Sequence, residues 1–587
     1  MSIALAPEIK VGGQDLAAAW LDRLVGVRVD LQLGLVGRAT LRFRDFGAAL
    51  ADASVFTLEK AVTFGKAGGS SPIFSGTVVG IALNQGESRQ PELVVTVDDA
   101  AHKLTQGTST KTYLNSSLST VVNGLASARG LSVTSGQAEN ATQAYLLQSG
   151  TDLDFLNEIC ARTGRVWWVE GTRTLRFEKA GTSDATVRLA FGTDLDGFSV
   201  KATSLRPDKV DVVGWDPAQQ QPITGSATSV ETKAQGNLID PFLADLGKGS
   251  KTLVVRDAAP MDADEATAMA SSIFATAASD GVVARGTGDF NAAIALSTTV
   301  DVSDAGPASG KYLVTAVEHL YDVSGFTTRF TAGPHRARHL VDVLGVPAEG
   351  SGFTLPGVLT GVVTNVADPD NAGKVKVTYS TQGNTVESPW ARVVTIGAGK
   401  GRGLEFQPEV NDEVLVAFEQ GDTRRPLVLG GLFSAKNTLP TSPKAGNVDG
   451  SAIAYRRITS RLGHVIELAD GTADDSKYVL VKLAGGQHQL RIGADKTDLT
   501  IANKELTITN GPAKIVFSEQ GDITIQGKSI TLKADTTVDV QAGTKAAMAG
   551  KTAVEVQGAD VKIEGQASTS VQASGQLALK GGVVMIN

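Results

Sequence analysis

From Leu490 to Ile586 the chain repeats one device: two apolar β-formers separated by a single residue, then a short polar stretch that often ends in glycine. The pairs are Leu490/Ile492, Leu499/Ile501, Leu506/Ile508, Ile515/Phe517, Ile523/Ile525, Ile530/Leu532, Val538/Val540, Ala546/Met548, Val554/Val556, Val561/Ile563, Thr569/Val571, Leu577/Leu579 and Val584/Ile586, a spacing of about eight residues. Residues two apart point to the same face of a strand. Gly527, Gly543, Gly558, Gly565 and Gly575 give the backbone freedom to turn a corner after a pair. One strand and one corner enclose no core, so other faces must come from elsewhere. Either three successive units of one chain form a triangular coil, or three chains each supply one face of a shared prism, and the period leaves both open. Phe517 is the one aromatic at a pair position, so the enclosed column is narrow.

From Leu490 onward ten basic residues balance ten acidic ones, which argues against a basic membrane-binding fibre. A polysaccharide-cleaving β-helix needs stacking aromatics and paired carboxylates, and the repeat offers neither pattern. Stiffness is the property such a narrow, neutral prism is built for. Across all 587 residues, 65 glycines and 5% aromatics favour β architecture with many turns. The net charge of −8 gives no electrostatic reason to expect nucleic acid as a partner. The opening "MSIALAPEIK" lacks a basic start followed by an apolar run, so synthesis and retention in the cytoplasm are expected. Cys160, the single cysteine, continues an apolar helix face with Phe155, Leu156 and Ile159, which predicts a buried structural thiol.

Ahead of the repeat, "LPGVLTGVVTNVADPDNAGKVKVTY" through "EVLVAFEQGDTRRPLVLGGLF" carries about five short strands in some eighty residues, which suits a small closed barrel of the OB type. Between Gly357 and Pro440 eight basic residues face nine acidic ones, too balanced for a single-strand nucleic-acid groove. "GAGKGRG" looks like a phosphate loop, but no Ser or Thr follows Lys400 and a strand, not a helix, is predicted next. "DPDNAG" has the oxygen-rich look of a calcium loop without its spaced ligands, and reads as a hairpin turn. The first 345 residues alternate like strands in "GVRVDLQLG", "GRATLRFRD", "PIFSGTVVGIAL" and "PELVVTVDDAAHKL", with a helical insertion at about 101–165. His335 and His339 stand four apart, but no third ligand lies nearby, so no metal and no cofactor are expected.

Four stretches carry a family resemblance, the last more loosely. "FQPEVNDEVLVAFEQGDTRRPLVLGGLF" resembles the OB-domain signature of VgrG-family spike proteins and of the central spike of contractile phage tails. "RRITSRLGHVIELADG", Arg456 to Gly471, resembles the segment leading from that domain into the spike's β-helix, and "GGVVMIN" resembles its tip. "AYLLQSGTDLDFLNEICARTGRVWWVEGTRTLRFEK" is more loosely similar to the helix and hairpin of spike hubs.

The resemblance implies a mainly β fold: a hub of tube-like β-barrel domains over 1–345, a linker at 346–356, an OB-fold barrel at 357–440, a connector at 441–489 and a C-terminal triple-stranded β-helix at 490–587. It implies a homotrimer whose core holds Ile523, Ile525, Ile530, Leu532, Val538, Val540, Val554, Val556, Val561, Ile563, Leu577 and Leu579. Its tip, Val583, Val584, Met585, Ile586 and Asn587, would take a PAAR-type cap. Tail tube and baseplate proteins are the other implied partners, with effector cargo an option and a target membrane met only on puncture.

The implied function is structural, the spike and hub of a contractile injection system, assembled in the cytoplasm and delivered outside on firing or lysis. The opening of the chain differs from that usual in type VI secretion spikes, which favours a phage-like or extracellular particle. A peptidoglycan hydrolase is the rival from another class, but about fifty residues between Pro440 and Leu490 are too few for a separate catalytic domain. An adhesive surface fibre is the third reading.

Overall fold

A computed structural model describes residues 6–586 apart from Ser70, 87–88, 136–141, 182–184, 204–206, 230–250, Asp257, Asp280, 334–356, Ser380, 383–385 and 441–447. The chain divides into two units, residues 1–439 and 440–587. His335 and His339 lie outside the described residues.

The first unit is built on one long, mostly antiparallel sheet that wraps two cores. Around the first core run Pro7–Val11, Leu24–Gln32, Arg38–Arg44, Ala61–Lys66, Phe74–Gly86 and Arg89–Asp98. Their alternating apolar residues Val29, Leu41, Phe43, Phe64, Val95 and Val97 are fully buried. Around the second run Leu195–Ala202, Val282–Asp289, Gly310–Asp322 and Gly325–Ala332, enclosing Ala284, Val314, Val317 and Phe330. Gly310–Asp322 pairs antiparallel with Leu24–Gln32, His319 opposite Val29, and so joins the two halves backbone to backbone.

Two helices, Leu118–Ala128 and Asp152–Thr163, interrupt the strands of the first unit. The helix Asp152–Thr163 starts on Thr151, whose hydroxyl accepts the Asp154 amide, and ends on Gly164 at φ 70°, a left-handed cap that costs glycine nothing. Its apolar face, with Cys160, packs into a core with Trp167, Phe177 and the helix Leu118–Ala128. A second α/β piece is absent from the sequence reading. Strands Lys209–Asp216, Gln221–Ala227 and Thr252–Val255 carry the longer helix Ala263–Ser279. That helix is rich in Ala and Ser, so its apolar stripe has little contrast. It lies directly on the sheet at Gly225, where an added Cβ would sit 2.2 Å from the Ala266 carbonyl carbon.

Residues 357–439 form the five-stranded barrel anticipated, in the order Lys376–Thr378, Val358–Asn365, Glu413–Phe418, Pro426–Gly431, Arg392–Val393. A bridge between Val375 and Ala391 closes the ring. Its core is not its own. Tyr145 and Leu147, from the insertion strand Thr142–Gly150, pack among Val377, Tyr379, Val414 and Val416, and the Tyr145 hydroxyl donates to the Glu387 carbonyl at 3.2 Å.

The second unit opens with two antiparallel meanders: Tyr455–Thr459, Val465–Asp470, Lys477–Lys482, His488–Gly493, Thr497–Ile501, and then Leu506–Asn510, Ala513–Phe517, Ile523–Gln526. The division drawn at Leu490 from the repeat spacing falls inside the first meander, because the same strand alternation precedes it with loops of unequal length. Among the described residues from Gly527 to Ile586 no strand forms within the chain, and every residue from Lys528 onward is exposed.

Candidate assembly surface

Strand register decides what the first meander presents. Ile458 faces Ile466, Ile466 faces Val481, Val481 faces Leu490 and Leu490 faces Leu499 across successive strands. Two residues along, a second row runs Leu468, Val479, Ile492. Directly opposed side chains share a face at about 5 Å, so eight aliphatic side chains tile one side of the sheet. Seven of them remain 40–53% exposed, and Leu490 is half-buried. The second meander repeats the device with the rows Leu506–Phe517–Ile523 and Ile508–Ile515–Ile525.

The opposite face of the first meander is polar and closed. Glu467, buried, pairs with the Arg457 guanidinium and accepts the Tyr478 hydroxyl at 2.8 Å. Arg491 lies over the Tyr478 ring at 4.3 Å from its centre. Burial, and then Glu467 beside it, push the Tyr478 hydroxyl up to about 12.

The same alternation continues without an intrachain ladder. Of the twelve residues assigned to a trimer core, Ile523 and Ile525 sit on the last strand of the second meander. The other ten, Ile530, Leu532, Val538, Val540, Val554, Val556, Val561, Ile563, Leu577 and Leu579, are 48–78% exposed. At the tip Val583, Val584, Met585 and Ile586 are exposed, and Asn587 lies outside the described residues. The structure brings none of the ten into a core of this chain. Sequence reasoning missed Ile458, Ile466, Leu468, Val479 and Val481, although "VIELAD" and "YVLVKL" alternate as the repeat does.

A second arrangement explains the "DTRRP" turn of the OB barrel. Arg424, almost fully buried, donates to Asp422 at 2.8 Å and to Glu265 at 2.7 Å. Asp422 also accepts from Arg162 at 3.3 Å. Arg425 donates to the Trp215 carbonyl at 2.8 Å and to the Pro260 carbonyl. Burial alone would raise the Asp422 carboxyl, but the Arg424 guanidinium, with Arg162, holds it below the ordinary carboxylate range. One barrel turn is thereby latched to both the insertion helix and the Ala263–Ser279 helix.

Both decoy loops are internally satisfied. Gly399 and Arg402 exchange backbone hydrogen bonds at 2.9 and 3.1 Å, making "GAGKGRG" a tight hairpin. Asp368 accepts the amides of Asp370, Ala372 and Lys374, which makes "DPDNAG" a capped turn. Among the described residues no group of three or more His, Cys, Asp or Glu is placed to hold a metal. Among them, no helix is long and apolar enough to cross a membrane.

Residues 359–433 match the family described as the type VI secretion system/phage-baseplate injector OB domain, and residues 4–322 match the Alg8 N-terminal domain family, more than half of the chain. The type VI secretion system spike protein VgrG1b of Pseudomonas aeruginosa is 32% identical over 141 residues, 23% of this chain and 18% of the relative. VgrG1a of the same organism is 29% identical over 146 residues, 24% and 21%. The chain thus spans about a fifth of the length of these relatives. Among solved structures, the E. coli c3393 protein, a component of the type VI secretion system, aligns over 70% of this chain and 96% of its own at 14% identity and TM-score 0.45. The Francisella PdpA-VgrG complex aligns over 91% and 81% at 9% identity and TM-score 0.46.

Proposed function

We propose, from the premise that this chain belongs to the Alg8 N-terminal domain family and is a VgrG-family spike protein, that it works as the homotrimeric central spike and hub of a contractile injection system. Its task is mechanical and not catalytic. The first unit holds the leading end of a tail tube at the baseplate, and the second carries thrust to a tip that meets the target membrane. The observation that carries this reading is the long series of apolar side chains at alternating positions from Ile458 to Ile586, most of them left exposed by this chain. Exposed apolar rows of this length demand a cover, and unpaired strand backbone demands hydrogen-bond partners. Two further copies supply both at once, each presenting the same rows at the same level. Each half-exposed Val, Ile or Leu that becomes buried contributes about 1 kcal/mol, and three copies multiply the gain.

Val583 to Ile586 then form a small apolar end face that suits a PAAR-type cap, one per trimer. Sedimentation of the full chain tests the trimer: a trimeric species at micromolar concentration is expected, and a monomer under the same conditions overturns the reading. Removing Gly581 to Asn587 tests the cap. The trimer should persist while copurification of a PAAR-type protein is lost, and capture equal to that of the full chain refutes the tip assignment.

A further inference from the structure

The aliphatic face of the first meander carries two of the chain's six histidines, both half-buried and both in one row. His488 stands opposite Ile501 and two residues before Leu490, so it lies on the same face as Leu490 and Ile492. The Leu483 amide donates to the His488 carbonyl at 3.0 Å, which carries the row to the neighbouring strand. His464, two residues before Ile466, continues it on the strand beyond. The row reads His464, Leu483, His488, Ile501, one step along the strands from Ile466, Val481, Leu490 and Leu499.

The surroundings of both rings suit an uncharged imidazole. The Nδ1 of His464 accepts the Ala484 amide at 3.1 Å, so a hydrogen added there would set donor against donor. The Nδ1 of His488 is buried with no hydrogen-bond partner among the described residues. The row itself holds no carboxylate to balance a positive charge. On the same face Arg456, Asp470 and Lys477 stand at the far end of the strands, where Arg456 pairs with Asp470 and Lys477 with Asp474. At the near end, alternation turns Lys482 to the opposite face, Lys504 is engaged by Glu519 at 3.2 Å, and Glu505 accepts the Thr507 hydroxyl at 2.9 Å. Arg461, exposed in the turn before His464, adds only positive charge.

We propose that His464 and His488 make closure of the first meander pH-dependent: two further copies cover the face with both rings neutral among aliphatic side chains, and in acid their protonation opens it. The proposal rests on the trimer reading, since the copies that cover Ile466 and Val481 cover this row as well. A charge enclosed there would have no partner, whereas an opened face returns both rings to water. Imidazole is the side chain that changes charge between pH 5 and 8, and three copies bring six such rings to the interface. The repeat from Leu506 onward holds no histidine, so it keeps the three chains together while the meander above it opens.

The full chain and its His464→Gln/His488→Gln variant are compared at pH 8 and pH 5 by sedimentation and hydrogen exchange. Both are expected to be trimeric at pH 8, with equal exchange over residues 455–501. A solvated imidazole is charged about thirty times more often than it is neutral at pH 5, so each ring that closure keeps neutral favours the opened face by about that factor. At pH 5, exchange over residues 455–501 should be at least about tenfold faster in the native chain than in the variant, and equal over residues 506–526. The native chain also serves alone: the ratio of exchange over 455–501 to that over 506–526 should rise about tenfold or more from pH 8 to pH 5, the direct effect of pH on exchange cancelling in the ratio. A ratio indifferent to pH, or a variant that opens in acid as the native chain does, overturns the proposal with the trimer intact. A monomer at pH 8 overturns the trimer reading, and the proposal with it.

Discussion

The two units solve the problem of covering apolar surface in opposite ways. The first has 439 residues folded onto themselves, with fully buried rows such as Val29, Leu41 and Val95, and with enclosed carboxylates met by arginine, as at Asp422, or by backbone amides, as at Asp45 and Asp99. The second places side chains of the same chemical type, in the same alternation, on faces that this chain leaves open. Hydrophobic patterning alone therefore does not distinguish a unit that covers its own apolar faces from one that leaves them open. The number of layers does: a sheet buries a face only when a second layer lies on it.

The sharpest way to break this contrast is to charge the open rows. Val481→Asp, in the middle of the longer aliphatic row, places three carboxylates at one level of an assembled spike and should cost at least about 3 kcal/mol per chain. Loss of the trimer by sedimentation, with melting of the first unit unchanged, is expected. Val556→Asp should act the same way lower down, and a trimer as stable as the native one would show that these rows do not face an axis.

The latch offers the converse test. Asp422→Ala leaves the buried Arg424 and the half-buried Arg162 with Glu265 but without their shared carboxylate, and should lower the stability of the first unit by about 3 kcal/mol while association through the second is unaffected. Thermal melting reports the first effect and sedimentation the second.

Leu147→Ala sharpens the comparison within the first unit. Leu147 is fully buried in the OB barrel's core although it belongs to the insertion. Its truncation should cost about 2–4 kcal/mol. Faster hydrogen exchange should appear at Val377 and Val416 in the barrel, and exchange confined to residues 109–150 would show that the barrel stands alone.

The smallest effect concerns pH. Asp99 is raised to about 7, so its protonated form is the one the fold favours, and its contribution is present in acid and lost as pH rises from the ordinary carboxylate range through about 7. His319, lowered to about 4, acts in the other direction, losing stability as pH falls from about 6.5 towards 4. Asp99→Asn removes the first and leaves the second, so melting temperature should rise more steeply between pH 4 and 7 than in the native chain.

Much of the architecture was legible because it depends on local pattern. Alternation in "EVLVAF" and the turn "EQGD" sufficed for the OB barrel, and the spacing of Phe155, Leu156, Ile159 and Cys160 marked a helix. The helix Ala263–Ser279 was not legible, since alanine and serine give little periodic contrast and its place is set by the missing side chain at Gly225. Nor did periodicity reveal that Ile458, Ile466 and Val481 belong to the same surface as the repeat, because loops of unequal length break the eight-residue spacing while antiparallel pairing restores the row.

Sequence alone therefore determined the alternation of the tail, its balanced charge and the punctuation of the barrel, all of which rest on residues within a few positions of one another. Tertiary structure decided which of the alternating rows are covered, that Tyr145 and Leu147 complete a barrel more than two hundred residues away, and that Arg424 meets Glu265 and shares Asp422 with Arg162. Burial and charge pairing depend on what another segment brings to the same place, and chain spacing carries no record of that.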